Sequence, residues 1–258
     1  MNDPHVEKLY YRFISENPGD SFEKAQPLTI TLGSFSVEIH DGQLVATPKD
    51  HYPGEESAKV EFEPILHSWE SSAFLSPIKL RIRFKFDHAD VIDRNPTPGL
   101  VSLHVHGVET IFTLGTPTLT VVHNLYPSPD TGFVASSLTD ELIYRLQQYK
   151  DGRQTLPHVA YYILDKLEQE FGEGKKGKRT EAAKVLNVNY AVLDKFGNYS
   201  NKPDVRIGRH ASRHDIPLTR EELVWLEEVA FRLVRRVGEI NAGTTPLSPI
   251  GMDSFPPI

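Results

Sequence analysis

The sequence predicts an α+β protein, in which an N-terminal antiparallel β-sheet domain with one or two helices precedes a C-terminal bundle of four to five helices. Apolar residues alternate with polar ones in the first half of the 258-residue chain and recur at helical spacing in the second half. Residues 126–132, which include Pro127 and Pro129, are typical of a linker. We therefore expect a sheet-based domain over residues 1–130 and a helical domain over residues 131–258.

Two helices are predicted in the sheet-based domain. Residues 4–16 have the spacing of an amphipathic helix. Its apolar side would consist of Val6, Leu9, Tyr10, Phe13 and Ile14. The second helix would begin near Pro64, because proline is favoured in a first helical turn and Trp69 and Ala73 follow at helical spacing.

Short strands are predicted wherever apolar and polar residues alternate. Phe35, Val37 and Ile39 alternate with polar neighbours, and the Asp41-Gly42 pair after them is typical of a two-residue hairpin turn. Because the polar positions share one side, the sheet should be antiparallel with one solvent-facing surface. The predicted strands cover residues 29–32, 35–40, 44–47, 80–87, 101–106, 109–114 and 117–123.

Helical periodicity replaces the alternation beyond the linker. The last helix has the clearest signal, since Thr219 and Glu222 form the sequence pattern of a capping box ahead of an apolar stripe. The predicted helices cover residues 137–150, 156–171, 179–187, 189–197 and 220–239. From Gly243 onward the chain is rich in proline, and we expect this extended tail to pack along the surface without forming an element.

The composition is that of an ordinary globular protein, with 39% hydrophobic and 24% charged residues. No apolar run approaches the roughly 18 residues of a membrane-spanning helix, and the N-terminus lacks the apolar core of a signal peptide. The absence of cysteine excludes disulfides and thiolate chemistry. We therefore expect a cytoplasmic protein with no membrane partner.

The net charge of −7 is distributed unevenly along the chain. Residues 1–173 carry 14 Lys and Arg against 25 Asp and Glu, whereas residues 174–214 carry 10 against 3. An acidic body repels polyanions, so nucleic acid would have to bind at the basic segment 174–214. The alternative is a basic surface loop that only keeps the protein soluble.

One short motif within this segment combines an arginine and a histidine. Arg209 and His214 stand at Arg-x4-His spacing before the last helix, His210 directly follows the arginine, and an earlier helical segment carries Glu168. The helical half thereby resembles HEPN domains, small helical bundles that often act as metal-independent RNases with an Arg-x4–6-His signature. The resemblance implies that Arg209 stabilises charge on the reacting phosphate and that His214 transfers a proton at the 2′-hydroxyl, with His210 accessory.

Two positions depart from the HEPN pattern. Arg213 stands where a small residue usually precedes the histidine, and Pro217 keeps the motif off a long helix. The wider pattern of the helical half is similar to bacterial proteins of unknown function, which implies a bacterial source. A HEPN-like RNase from such a source would belong to a defence or stress system.

A second nucleic-acid motif lies upstream of the Arg-x4-His stretch. Ala183, Asn187, Val188 and Asn189 fall where a helix-turn-helix carries its alanine, turn residue, valine and recognition-helix cap. The recognition helix would offer only Tyr190, Asp194 and Lys195, so a structural αα-hairpin is the favoured interpretation. Phosphate contacts would come from Lys175, Lys176, Lys178, Arg179, Arg206 and Arg213.

A third motif, His104 with His106, would put two imidazoles on the same side of a strand. Such a pair could bind a metal with a third ligand, but two histidines on a wet sheet surface more often face solvent. Third-ligand candidates are Asp87, His88, Asp90, Asp93 and His123. We therefore expect no metal.

The leading functional hypothesis is interaction with RNA through the helical domain, in the finer form a HEPN-like RNase. The alternative is a non-enzymatic interaction protein, whose partner would be another protein or a second copy of the chain. A metal-dependent hydrolase at the His-x-His strand ranks third. No cofactor is implied, because the sequence contains no glycine-rich phosphate loop, no Gly-x-Ser-x-Gly and no His-Glu-x-x-His.

Overall fold

The computed structural model describes residues 3–95, 121–172, 177–202 and 217–257. The chain consists of two compact units, residues 1–130 and 131–258. The first contains an antiparallel five-stranded sheet and the second contains helices, so the predicted α+β class is confirmed. None of the helices in these described ranges is long and apolar enough to cross a membrane.

The N-terminal unit is built on a sheet with the strand order β3-β4-β5-β1-β6. A short parallel pair, β2 with β7, lies outside this sheet. The strands are β1 (Pro4–Ser15), β2 (Asp20–Ser21), β3 (Leu28–Leu32), β4 (Phe35–His40), β5 (Gln43–Pro48), β6 (Ile82–Asp93) and β7 (Val121–Val122). The strands predicted over 101–106 and 109–114 lie outside the described residues.

β1 replaces the helix predicted over residues 4–16, and that prediction is wrong. β1 pairs antiparallel with β5 on one side and β6 on the other. The β1–β6 register shifts between Val6 and Lys8, which leaves Glu7 as an extra residue in β1. The buried side chains of β1 therefore include Val6, Leu9, Tyr11 and Phe13. The interrupted alternation imitates helical spacing in the sequence.

The hairpin predicted at Asp41-Gly42 is confirmed and joins β4 to β5. Both residues have positive φ, 49° and 74°, as a type I′ turn requires, and His40 pairs with Gln43 across it. Phe35, Val37 and Ile39 are completely buried, while the alternating residues of β4 face outward. The sheet therefore has the single wet surface that the alternation predicted.

Helix α1 (Glu55–Phe74) covers the inner surface of the sheet. It begins well before Pro64, where the sequence predicted its start, because Ala58 and Phe62 extend its buried side. Pro64 has no N–H, so the carbonyl of Val60 receives no helical hydrogen bond from it. Both residues lie on the exposed side of the helix, where solvent can reach that carbonyl. The proline is therefore tolerated inside α1.

The C-terminal unit contains five helices within its described residues, and the five helices predicted there are confirmed. They are α2 (Ser137–Lys150), α3 (Leu156–Phe171), α4 (Lys178–Val185), α5 (Tyr190–Ser200) and α6 (Arg220–Asn241). The predicted capping box is present: the Thr219 side chain accepts from the Glu222 N–H, and the Glu222 carboxylate accepts from the Thr219 N–H. Trp225, Leu226 and Val229 lie on the buried side of α6.

The proline-rich tail lies against the turn between α4 and α5. The Ile250 N–H donates to the Asn187 carbonyl, and the Asn189 N–H donates to the Ile250 carbonyl. The tail also contains a short 3₁₀ helix at Met252–Ser254, where the sequence predicted no element. These backbone bonds hold the tail on the bundle. Asn187 adopts a positive φ of 48°, which asparagine tolerates.

Candidate nucleic-acid interface

Two of the residues predicted to contact nucleic acid, Lys178 and Arg179, lie within the described residues, in the first turn of α4. The predicted catalytic residues Arg209, His214 and His210 lie outside the described residues. The same holds for Lys175, Lys176, Arg206 and Arg213, and for the histidines His104 and His106. Within the described residues, the candidate interface therefore comprises the start of α4 and the two helix ends that flank residues 203–216.

Arg179 connects three helices through two carboxylates. Its Nε donates to Glu168 Oε1 of α3 at 2.6 Å, and its Nη1 donates to Asp194 Oδ1 of α5 at 3.2 Å. Burial alone would lower the pKa of the guanidinium, but the hydrogen bond to Glu168 and the charges of Glu168 and Asp194 raise the pKa on balance. Arg179 is thus a structural cation with two anionic partners, and a phosphate would have to compete with both of them.

Gly197 on α5 leaves the space that the Arg179 guanidinium occupies. A Cβ atom at Gly197 would lie 2.9 Å from Arg179 Nη1 and 3.0 Å from the Leu164 side chain. Such separations are too short for ordinary van der Waals contact. The absence of a side chain at Gly197 therefore lets the guanidinium lie between α3 and α5.

Lys178 differs from its neighbour in both exposure and bonding. It is exposed, and within the described part of the chain its ammonium group has no hydrogen-bond or ion-pair partner. Lys184, at the other end of α4, donates instead to Glu181 at 2.7 Å. Lys178 is therefore the residue of α4 whose charge is available to an anionic ligand.

Glu168, which carries part of the HEPN resemblance, lies on α3 as the sequence predicted. Its carboxylate is bound by Arg179 and its side chain is largely buried, with 22% exposure. In this arrangement Glu168 supports the packing of α3 against α4. The sequence offered no signal for the Glu168–Arg179 pair, because the two residues belong to different helices.

The two helix ends that flank residues 203–216 are joined by an ion pair. Lys202, just after α5, donates from Nζ to Glu222 Oε1 of α6 at 3.0 Å. Burial would raise the pKa of the Glu222 carboxyl, but the Thr219 N–H and the Lys202 ammonium lower it on balance. Glu222 therefore has two functions: it completes the cap of α6 and it holds the end of α5.

The α4–α5 hairpin lacks the free polar residues of a DNA-reading helix. Asn189 caps α5 by accepting from the Ala191 N–H at 2.9 Å. Asp194 is bonded to Arg179, and the Lys195 ammonium lies 5.4 Å from the centre of the Trp225 ring. Of the three residues predicted to face a groove, Tyr190 is 49% exposed and has neither of these contacts. The geometry fits a structural αα-hairpin.

The candidate third metal ligands on β6 are engaged with neighbouring side chains. The His88 ring stacks on Tyr10 with 4.2 Å between ring centres, and the Tyr10 hydroxyl donates to Asp90 Oδ2 at 2.8 Å. Asp87 lies 2.8 Å from His88 Nδ1. Within the described residues, no three His, Asp or Glu side chains are placed to hold one metal ion.

A tyrosine-centred network between α2 and α3 was missed at the level of sequence. The Tyr162 hydroxyl donates to Glu141, whose carboxylate also accepts from Lys166 at 3.0 Å, and the Arg145 guanidinium lies 4.3 Å from the Tyr162 ring centre. The hydrogen bonds from Tyr162 and Lys166 lower the pKa of the Glu141 carboxyl. In this network the Glu141 carboxylate pairs with the charge of Lys166, so this lysine is not a free cation.

Comparisons with known proteins identify no relative. The chain matches no protein-family model. Neither the curated proteins nor the solved structures contain a match to it.

Proposed function

We propose that the C-terminal unit binds RNA through the basic segment 174–214. The main support for this proposal is the composition of that segment, which contains 10 basic residues and only 3 acidic ones. The remainder of the chain is acidic, so attraction to a polyanion is expected at this segment. Lys178 supports the proposal, since it is exposed and, among the residues that the structure describes, nothing pairs with its ammonium, which can contact a phosphate oxygen.

The ion pairs of Arg179 remove this residue from the set of expected phosphate contacts. Arg179 is held by Glu168 and Asp194, so the phosphate contacts are assigned to Lys178 and to the residues predicted from the sequence on either side of it. Binding of this kind should be weak and steeply dependent on salt, because it rests on release of counterions from the phosphate backbone. Fluorescence anisotropy with a labelled single-stranded RNA at several salt concentrations measures both properties.

In its finer form the proposal is a HEPN-like, metal-independent RNase with Arg209 and His214 as the catalytic pair and His210 as an accessory. A bundle of five described helices, with the motif shortly before the last helix, supports this assignment. Histidine can act as general acid or base on a 2′-hydroxyl near neutral pH, and arginine can stabilise the charge that develops on the phosphate. This chemistry needs no metal ion.

The test is cleavage of total RNA in the presence of a chelator. Wild type should cleave, while His214→Ala and Arg209→Ala should each abolish cleavage and keep the helical circular dichroism of the wild type. Arg213→Ala is the matched control, since it removes a charge from the same stretch but lies outside the catalytic pair. Equal losses in all three variants would indicate electrostatic binding without catalysis, and an inactive wild type would refute the RNase.

A protein partner is the second candidate function, and the exposure of two tyrosines favours it. The side chains of Tyr144 on α2 and Tyr161 on α3 are 55% and 54% exposed. Tyrosine is enriched in the cores of protein interfaces, and a second copy of this chain is the simplest partner. Light scattering on the full chain tests this directly, and loss of the dimer in Tyr144→Ser or Tyr161→Ser would locate the interface.

A further inference from the structure

The N-terminal unit contains a cavity of about 400 Å³ beside the β4–β5 hairpin, outside the nucleic-acid interface. This volume falls within the range of small-molecule sites in proteins. The side chains that line it and matter for its chemistry are Phe13, Ser15, Asp20, Phe22, Glu23 and Asp41. The cavity thus combines two phenyl rings with three carboxylates.

The aromatic wall of the cavity is held in place by its own packing. Phe13 and Phe22 meet edge to face with 4.9 Å between ring centres, and Phe22 stacks on His123 at 4.5 Å. Behind them, the Tyr126 hydroxyl accepts a hydrogen bond of 3.0 Å from the Gly42 N–H. The wall is therefore fixed before any ligand arrives, so binding requires little ordering.

The mouth of the cavity is negatively charged. None of the described residues that line it is a lysine or an arginine. Asp20 accepts from Asn17 and lies 3.2 Å from His123 Nε2, and Asp41 lies 2.9 Å from His40 Nδ1. In the described part of the chain the Glu23 carboxylate has no partner. The field at the mouth therefore favours a cation.

The spacing of the carboxylates selects an organic cation over a metal ion. Within the described residues, no three acidic or histidine side chains converge closely enough to share one metal. A positively charged group carrying alkyl substituents can instead place its charge near the separated carboxylates and its carbon atoms against the phenyl rings.

We propose that this cavity binds a small alkylammonium compound of about the size of choline. The charge would lie between Glu23 and Asp41 at the mouth, and the alkyl groups would contact Phe13 and Phe22. The proposal concerns the N-terminal unit and does not depend on the nucleic-acid proposal for the C-terminal unit.

Calorimetric and NMR titration of the full chain with choline tests the proposal. Its uncharged isostere 3,3-dimethylbutan-1-ol, of nearly the same shape, separates the contribution of charge from that of apolar contact. Choline should bind saturably, and the isostere should bind at least about tenfold more weakly, because it lacks the attraction to the carboxylates. Chemical-shift changes should be confined to the cavity and include Phe13 and Phe22.

Two variants that each neutralise one carboxylate test where the cation binds. Glu23→Gln and Asp41→Asn should each weaken choline binding by about threefold, as expected for partly exposed charge pairs. Asparagine tolerates the positive φ of Asp41, so the hairpin should keep its turn. Glu38→Gln is the matched control, since Glu38 is an exposed carboxylate of β4 that does not line the cavity, and its affinity should equal that of wild type.

Three results would overturn the proposal. They are the absence of saturable choline binding, equal affinity for choline and its neutral isostere, and equal weakening by the control and the two cavity variants. Absent binding would show that the cavity is not a choline site. Equal affinity for the isostere would show that charge plays no part, and equal weakening by the control would show only an effect of net charge.

Discussion

The Nη1 of Arg236 donates a 2.9 Å hydrogen bond to the carbonyl oxygen of Leu186, so a completely buried guanidinium joins α6 to the end of α4. Its Nη2 donates to the Ser248 carbonyl of the tail, and its Nε lies 2.9 Å from Glu239 Oε2. Burial lowers the pKa of this arginine, with Arg232 adding to the effect. One side chain therefore links a helix, a helix end and the tail.

Arg236→Ala should destabilise the C-terminal unit by about 3 kcal/mol, because it leaves the buried Leu186 carbonyl, the partly buried Ser248 carbonyl and part of the Glu239 charge unpartnered. Arg235→Ala is the control: Arg235 lies 3.4 Å from the same glutamate but is 27% exposed, and its loss should cost about 1 kcal/mol or less. Urea unfolding followed by helical circular dichroism measures both. Equal costs for the two variants would show that the buried bonds of Arg236 contribute nothing specific.

Lys178→Ala and Arg179→Ala should separate binding from stability at adjacent positions. Lys178→Ala should change stability by about 0.5 kcal/mol or less and reduce the salt dependence of RNA binding by about one phosphate contact. Arg179→Ala should lower the melting temperature of the bundle, because Glu168 and Asp194 lose their shared cation. A stable Arg179→Ala variant that loses RNA binding would reverse the assignment and make Arg179 the phosphate contact.

His5 should make the N-terminal unit less stable in mild acid. The side chain is 5% exposed, and burial, followed by the nearby charge of Arg94, lowers its pKa below 6.5 in the folded state. The unfolded state therefore binds a proton more readily, so stability is fully present above pH 6.5 and is lost as the pH falls through the folded pKa. Urea unfolding between pH 7.5 and pH 5, with His5→Phe beside the exposed His40→Gln, should show a weaker pH dependence in His5→Phe alone.

His104→Ala combined with His106→Ala should leave both stability and metal content nearly unchanged. The reason is the sequence prediction that both imidazoles face solvent, where substitutions typically alter stability by about 0.5 kcal/mol or less. Metal analysis of the purified protein, wild type beside the double variant, provides the measurement. Stoichiometric zinc in wild type that disappears from the double variant would contradict the prediction.

The sequence by itself determined those elements whose signals are local. Asp41-Gly42 specifies a type I′ hairpin because both residues tolerate positive φ, and Thr219 with Glu222 specifies the start of α6 because each side chain bonds the other's N–H. The boundaries predicted for α2 and α3 agree with the observed Ser137–Lys150 and Leu156–Phe171. In each case the residues that decide the structure lie within the element itself or directly beside it.

Tertiary structure alone decided what depends on distant partners. β1 is a strand because β5 and β6 pair with its two edges. The extra residue at Glu7 interrupts the alternation of β1, so that its apolar residues recur at helical spacing. Arg179 is bonded to Glu168 and Asp194 because three helices converge on it, which a count of basic residues cannot register. Strand pairing and ion pairing between elements are set by chain topology, so a local pattern supplies their residues but not their partners.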